Sequence, residues 1–207
     1  MPAVRTGDEA WQFARIVAVA RVVILHGRVG ADEYFSDRYP SASNSHWIPW
    51  LQKQLLIKGH DVQTPEVVRP YLADYDGWRT EFERHLDDEP MILVGHSCGG
   101  GFLVRWLSEH PLVQVGKLVL VAPWLDPEHS ISTDFFDFTF DPALPLRIGE
   151  FHLFHSSDDG ESIRRSVGIL LDVYPGIAQH AYDDMGHFCL SDMNTDQFPD
   201  LLRAITA

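Results

Sequence analysis

Met91-Ile92-Leu93-Val94-Gly95-His96-Ser97-Cys98-Gly99-Gly100-Gly101 is the stretch on which the reading of this chain turns. A short apolar run stops abruptly at a serine enclosed by small residues, in the pattern G-x-S-x-G. The pattern has a physical reason: a strand turns sharply into a helix at Ser97, and glycines two before and two after let neighbouring backbone pass close to the serine. Such a turn leaves the hydroxyl exposed above a sheet. It also puts the N–H of Cys98 in the first turn of a helix, where donors lack intrahelical partners and the positive dipole end favours a developing oxyanion. The flanks agree, with four apolar residues before and a helical pattern of Phe102, Leu103, Trp106 and Leu107 after, closed by His110-Pro111.

Working outward, 207 residues are most simply one domain over 1–207, with 1–20 as an N-terminal extension to which the pattern assigns no role. The 16 basic against 30 acidic side chains give a formal charge of −14, which opposes binding to nucleic acid or to an anionic membrane. Cys98 and Cys189 are the only cysteines, so no disulfide framework is implied and a reducing, cytoplasmic setting is expected. The apolar run Ile16 to Leu25 is interrupted by Arg21 and preceded by Asp8, Glu9 and Arg15, the wrong flanks for a signal peptide and too short a span for a bilayer.

Along the chain, strands alternate with helices. Val22 to Gly27 is a β-branched run ending in glycine, a buried parallel strand feeding the long polar loop Arg28 to Ser45, which carries Tyr34, Phe35 and Tyr39. A helix is expected from an N-cap at Asn44 or Ser45 to Lys58-Gly59, a short strand over Asp61 to Val67, and an amphipathic helix over Tyr75 to Asp88. After the serine turn come a strand at Lys117 to Pro123, an aperiodic stretch from Trp124 to Leu146 rich in phenylalanine, and a strand at Glu150 to His155. A helix at Ser162 to Val173, a last strand at Ile177 to Tyr182 and a closing helix at Phe198 to Ile205 complete the set. These βαβ units predict a three-layer α/β/α sandwich on a mostly parallel sheet, with the ligand site at the C-terminal ends of the strands.

A serine hydroxyl is a weak nucleophile near neutral pH and needs an imidazole base, itself oriented by a third group. Among the histidines, His26, His155 and His187 directly follow strands. His187 lies in the loop after the last strand, downstream of every possible acid, in the order Ser, Asp, His that a serine of this kind requires. Asp158 and Asp159 both sit after a strand and before a helix, and spacing does not separate them; Asp126, Asp183 and Asp184 are the other positions weighed. His26, beside Gly27, is placed to shape an oxyanion loop, and His26, Tyr34, Trp124 and Phe136 are the side chains expected to face substrate. Cys98 adjoins the nucleophile position without occupying it. His152-x-x-His155 with Asp159 does not make a metal site, since strand residues three apart point to opposite faces, so neither metal nor other cofactor is expected.

Gly95-His96-Ser97-Cys98-Gly99, His26-Gly27, Ser157-Asp158-Asp159, Gly186-His187-Phe188 and Ser45 to Leu51 together resemble the small, cap-less serine hydrolases of the α/β-hydrolase superfamily, the group typified by retinoblastoma-binding protein nine and YdeN. The resemblance covers roughly Val22 to Ile205. It implies Ser97 as nucleophile, His187 as base, Asp159 as the acid, and the N–H groups of Cys98 and Arg28 as the oxyanion donors. The Arg28 to Ser45 loop is longer than that group's pattern, and the first 20 residues have no counterpart in it. The expected activity is hydrolysis of a small or short-acyl carboxylic ester through an acyl-enzyme. Acyl transfer or peptide cleavage by the same residues, or a protein-interaction role with marginal catalysis, are the alternatives; oligomeric state is not readable.

Overall fold

The computed structural model describes residues 19–87 and 90–207; all but the last two residues of the N-terminal extension lie outside the described residues. Among these, six parallel strands form one sheet in the order β2-β1-β3-β4-β5-β6. They are β1 (Arg21–Leu25), β2 (Asp61–Gln63), β3 (Met91–His96), β4 (Val115–Val121), β5 (Ile148–Ser156) and β6 (Ala178–Tyr182). The helices are α1 (Ala31–Tyr34), α2 (Ile48–Ile57), α3 (Tyr75–Glu83), α4 (Cys98–Glu109), α5 (Glu161–Val173), α6 (Leu190–Met193) and α7 (Pro199–Thr206).

The strand alternation sorts the core into two layers. Val22 and Ile24 of β1 point to the face covered by Trp47, Leu51 and Leu55 of α2 and by Phe198, Leu201 and Ile205 of α7. Val23 and Leu25 point to the opposite face, which packs on Trp78 and Phe82 of α3, Phe102 and Leu103 of α4, and Leu170 of α5. Because all strands run the same way, Leu25, His96, Val121, Ser156 and Tyr182 end at one edge. Every loop that follows them opens there.

Three expectations need correction. Helix α2 begins at Ile48, not after Asn44 or Ser45: residues Ala42–Asn44 form a 3₁₀ turn, the Ser45 hydroxyl donates to the Ser41 carbonyl, and His46 adopts φ 58°, which breaks helical continuity before Pro49 starts the helix. Helix α3 stops at Glu83 because the chain tightens into i→i+3 bonds, Arg84 to Glu81, His85 to Phe82 and Leu86 to Glu83, as it turns toward β3. Strand β2 ends at Gln63, short of Pro65, which has no N–H to give to a ladder.

Segment 122–147 between β4 and β5 contains no α-helix, only the 3₁₀ turn Leu144–Arg147, so no helical cap covers the strand ends from there. Instead Leu125, Phe135 and Leu144 from this segment join the core. Phe135 completes an aromatic cluster around Phe102, whose ring lies 5.5 Å from Tyr75, 5.7 Å from Trp78 and 5.5 Å from Phe82. The ring of Phe102 is fully buried. Phe102→Ala is expected to lower unfolding stability by about 3 to 5 kcal/mol in urea titrations; a loss under about 1 kcal/mol contradicts the packing described.

Candidate active site

Strand β3 lies at the middle of the sheet, and its last residue hands over directly to Ser97 and α4. Ser97 has φ 52° and ψ −120°, a left-handed conformation that costs a non-glycine residue about 1 to 3 kcal/mol. It is held by its own backbone: the N–H donates to the Val121 carbonyl at 2.9 Å, and the carbonyl accepts from Gly100, Gly101 and Trp124. The flanking glycines are required by distance. A Cβ at Gly99 would stand 2.4 Å from the His26 carbonyl oxygen, and one at Gly95 would meet Gly100 backbone at 2.7 Å.

The Ser97 hydroxyl lies 2.9 Å from His187 Nε2, and His187 Nδ1 lies 2.9 Å from Asp159 Oδ2. With Asp159 ionised, Nδ1 carries the proton and donates it to the carboxylate, leaving Nε2 to accept from the hydroxyl. Asp159 is nearly inaccessible, its side chain 4% exposed against 28% for His187, and its other oxygen accepts the N–H of Gly160 at 2.6 Å. The two neighbouring aspartates take different partners. Asp158 Oδ1 accepts from the Ser156 hydroxyl at 2.5 Å and from the Gly186 N–H at 2.9 Å, tying the β5 loop to the loop that bears His187. The Ser156 hydroxyl, above all, holds the Asp158 carboxyl below the usual carboxylate range.

Asp183 accepts from the Ser157 hydroxyl. Asp126 is buried and spends both oxygens on the Ser130 N–H and hydroxyl and the Ile131 N–H of its own turn.

The His187 loop is fixed at several points. Its N–H donates to Asp192 Oδ2 at 3.0 Å, its carbonyl accepts from His96 Nε2 at 2.9 Å, and the buried ring of Phe188 stacks on Phe198. Gly186, at φ 49°, passes so near Asp192 that a Cβ there would stand 2.8 Å from its side chain. His26 plays a similar part at the end of β1. It is 1% exposed, its Nδ1 donates to the Gly27 carbonyl at 2.7 Å, and its Nε2 accepts the Val67 N–H at 3.0 Å. Burial lowers the pKa of His26, His46 and His96 and keeps them neutral.

The hydroxyl opens into a cleft of about 170 Å³ walled by Gly27, Arg28, Val29, Glu33, His46 and Cys189. The Arg28 guanidinium turns aside, donating from Nε and Nη2 to the Tyr71 carbonyl. The thiol of Cys98 is fully buried, and burial pushes its pKa up, which suppresses thiolate chemistry. Burial likewise pushes the Cys189 thiol to about 12.

Of the side chains expected to face substrate, His26 lines this cleft and Tyr34 lines an adjoining chamber. Trp124 and Phe136 stand elsewhere. The chain after β4 swings toward α5, where Trp124 Nε1 donates to Ser162 and the Leu125 N–H to Ser166, and Phe136 borders a separate cavity with Asp126 and Phe138. His46, Glu33, Ser156 and Asp192 were not singled out by the sequence. His46 reaches the site through a left-handed backbone and a bond from the Leu190 N–H, a contact 144 residues distant that no local pattern announces. Among the described residues no group of three or more His, Cys, Asp or Glu is placed to hold a metal ion, and no helix is long and apolar enough to cross a membrane.

A parallel sheet carrying a serine on a strained strand-to-helix turn, with an imidazole delivered from the loop after the last strand, defines an α/β hydrolase. The profile of the serine hydrolase family matches residues 37–166, more than half of the chain, and the chain belongs to that family. A search of curated protein sequences gives no match. Among solved structures, the chain is similar to the ydeN gene product from B. subtilis, at 23% identity and TM-score 0.75, over 91% of this chain and 97% of that one. It is similar in fold to the methylesterase MES16 from Arabidopsis, at 15% identity and TM-score 0.60, over 90% and 99%. A third similar fold is CarC, a serine hydrolase involved in carbazole degradation, at 14% identity and TM-score 0.53, over 90% and 89%.

The buried neutral histidines set a stability limit. A folded-state pKa held below the unfolded value near 6.5 means that the unfolded chain binds more protons as the solution turns acid. The stabilisation is complete above pH 6.5 and is lost as the pH falls from there through the folded values. Urea unfolding at pH 5.5 should therefore give a lower stability than at pH 7.5, by up to about 1.4 kcal/mol for each of His26, His46 and His96. Equal or greater stability at pH 5.5 contradicts this.

Proposed function

We propose that the protein hydrolyses small or short-acyl carboxylic esters through an acyl-enzyme formed on Ser97. The observation that carries the reading is the continuous pair of 2.9 Å contacts from the Ser97 hydroxyl through the His187 ring to Asp159. His187 Nε2 takes the hydroxyl proton as Oγ attacks the ester carbonyl carbon. Asp159 holds the ring in the tautomer that leaves Nε2 free and stabilises the imidazolium that forms. The carbonyl oxygen, now an anion, meets the N–H groups of Cys98 and Arg28, each worth about 2.7 to 4 kcal/mol where such a donor has been removed. Nε2 then returns the proton to the departing alcohol. Water repeats the cycle on the acyl-serine: His187 removes its proton, the oxygen attacks, and Ser97 leaves reprotonated.

The size of the cleft supports a short acyl group, since about 170 Å³ admits a few heavy atoms rather than a long chain. Its lining mixes four imidazoles, Arg28 and Glu33 with the apolar Val29, Ala42 and Ile48, which suits a small, partly polar ester. The fold likeness to a methylesterase agrees with a small ester.

Ser97→Ala should lower kcat on a short activated ester by about 10⁴-fold or more, and a fluorophosphonate probe should label Ser97 in the unaltered protein. Retained turnover or an unlabelled serine removes the proposal. Asp159→Asn should cost about 10³ to 10⁴-fold in kcat, whereas Asp158→Asn, which loosens the histidine loop without touching the ring, should cost about 10 to 100-fold. The reverse order would reassign the acid.

A further inference from the structure

The cleft above Ser97 has a second chamber beside it. Val29, Glu33 and Ala42 line the cleft and also line a second chamber of about 140 Å³, whose remaining walls include Tyr34, Tyr39 and Glu66. The second chamber thus lies directly beside the cleft that holds Ser97, across the wall that Glu33 belongs to. The chemistry of that room is one-sided. The Glu33 side chain has no hydrogen-bond or ion-pair partner among the described residues, so its carboxylate is an uncommitted group on the wall shared by the two chambers.

Glu66, at the back of the chamber, accepts from the Ala42 and Ser43 N–H groups at 3.2 and 2.8 Å. Burial works to raise its pKa, but the bonds from Ser43 and Ser41 and the nearby His26 together outweigh that and hold it below the usual range, so it too is an anion at neutral pH. Two phenol rings, Tyr34 and Tyr39, complete the enclosure, and Tyr34 is propped by the rings of Phe35 at 5.1 Å and Tyr71 at 5.2 Å.

The Arg28 guanidinium lines the Ser97 cleft and is held by the Tyr71 carbonyl, and it is not among the residues that line the chamber. Aromatic faces beside a free carboxylate favour one ligand chemistry, a positively charged nitrogen, through ion pairing and cation–π attraction together. The chain's formal charge of −14 acts in the same direction by raising the local concentration of cations.

Resting on the ester-hydrolase reading above, we infer that Glu33 determines specificity, and that the ester cleaved at Ser97 carries an ammonium group, a protonated amine or quaternary nitrogen, which occupies the chamber beyond it. The test uses two acetate esters of the same shape, that of choline and that of 3,3-dimethylbutanol, which differ only in the charge at the quaternary centre. The unaltered protein should prefer the charged ester by roughly fivefold to tenfold in kcat/KM, expressed in KM. Glu33→Gln should bring that ratio toward one. Asp172→Asn, on the exposed side of α5, removes the same unit of charge from the molecule and should leave the ratio as it was.

A ratio near one in the unaltered protein, or a ratio that Glu33→Gln does not change, overturns the inference. Protection of Ser97 from a fluorophosphonate probe by choline and by 3,3-dimethylbutanol gives a second reading independent of turnover. Better protection by choline supports the inference and equal protection overturns it, whereas failure of the probe to label Ser97 at all overturns the hydrolase reading beneath it.

Discussion

The structure depends on how closely the first turn of α4 is pressed between β1 and β3. At Gly99 the helix backbone touches the carbonyls of Leu25 and His26, and at Gly95 the strand touches the helix it has just produced. Neither contact leaves room for a methyl group. The strained φ of Ser97 follows from this pressure, since the chain has no length in which to turn more gently. What offsets the strain is bonding to neighbours on both sides: Val121 and Trp124 hold the serine from β4 and its following loop, while His26 stiffens the end of β1 from Gly27 to Val67. The hydroxyl therefore stands on the most heavily cross-braced part of the sheet. A nucleophile that must be met by a base and a substrate within a fraction of an ångström gains from being immobile.

The other half of the site comes from the sheet's far edge and is braced in a different way. The loop after β6 leads only into the single turn of α6, and its position is set by hydrogen bonds to several separate elements. Asp158 and Ser156 of the β5 loop hold Gly186 and Met185, Asp192 holds the His187 N–H, and His96, the residue before the serine, holds the His187 carbonyl. The last of these couples the strand-to-helix turn to the imidazole loop through a single buried ring. Of two adjacent aspartates, one organises backbone and the other meets the ring, so Asp-Asp is here two functions in successive residues.

Much of this was legible because its causes are local. Buried parallel strands read as continuous apolar runs, which marks out β1, β3, β4 and β5 at Val22 to Leu25, Met91 to Val94, Leu118 to Val121 and Phe151 to Phe154. The edge strands β2 and β6 are shorter on apolar residues and were placed by the alternation with helices. The Gly-x-Ser-x-Gly spacing encodes a steric demand that no other residues meet, which is why Ser97 stood out. The order of strands and the parallel topology then bring His187 to the same edge. Asp158 and Asp159 share a loop and a composition, and only the direction of each side chain, fixed by Ser156 and Gly186 for one and by Gly160 for the other, distinguishes them.

The start of α2 was misread because Asn44 and Ser45 are good capping residues whose groups are used in a 3₁₀ turn instead, and His46 takes a left-handed conformation with its ring accepting from the distant Leu190 N–H. Trp124 and Phe136 lie away from the Ser97 cleft for a similar reason. An aperiodic aromatic segment says that rings will be buried, not against which face.

The central physical claim is that Asp159 fixes the His187 ring with Nδ1 protonated and Nε2 free to accept from Ser97. Nitrogen-15 and proton NMR of histidine-labelled protein at neutral pH tests it most directly. The claim requires a strongly downfield N–H proton on His187 Nδ1, with Nε2 bearing none, and loss of that signal in Asp159→Asn but not in Asp158→Asn. A His187 ring protonated on Nε2, or a downfield signal indifferent to residue 159, would contradict it.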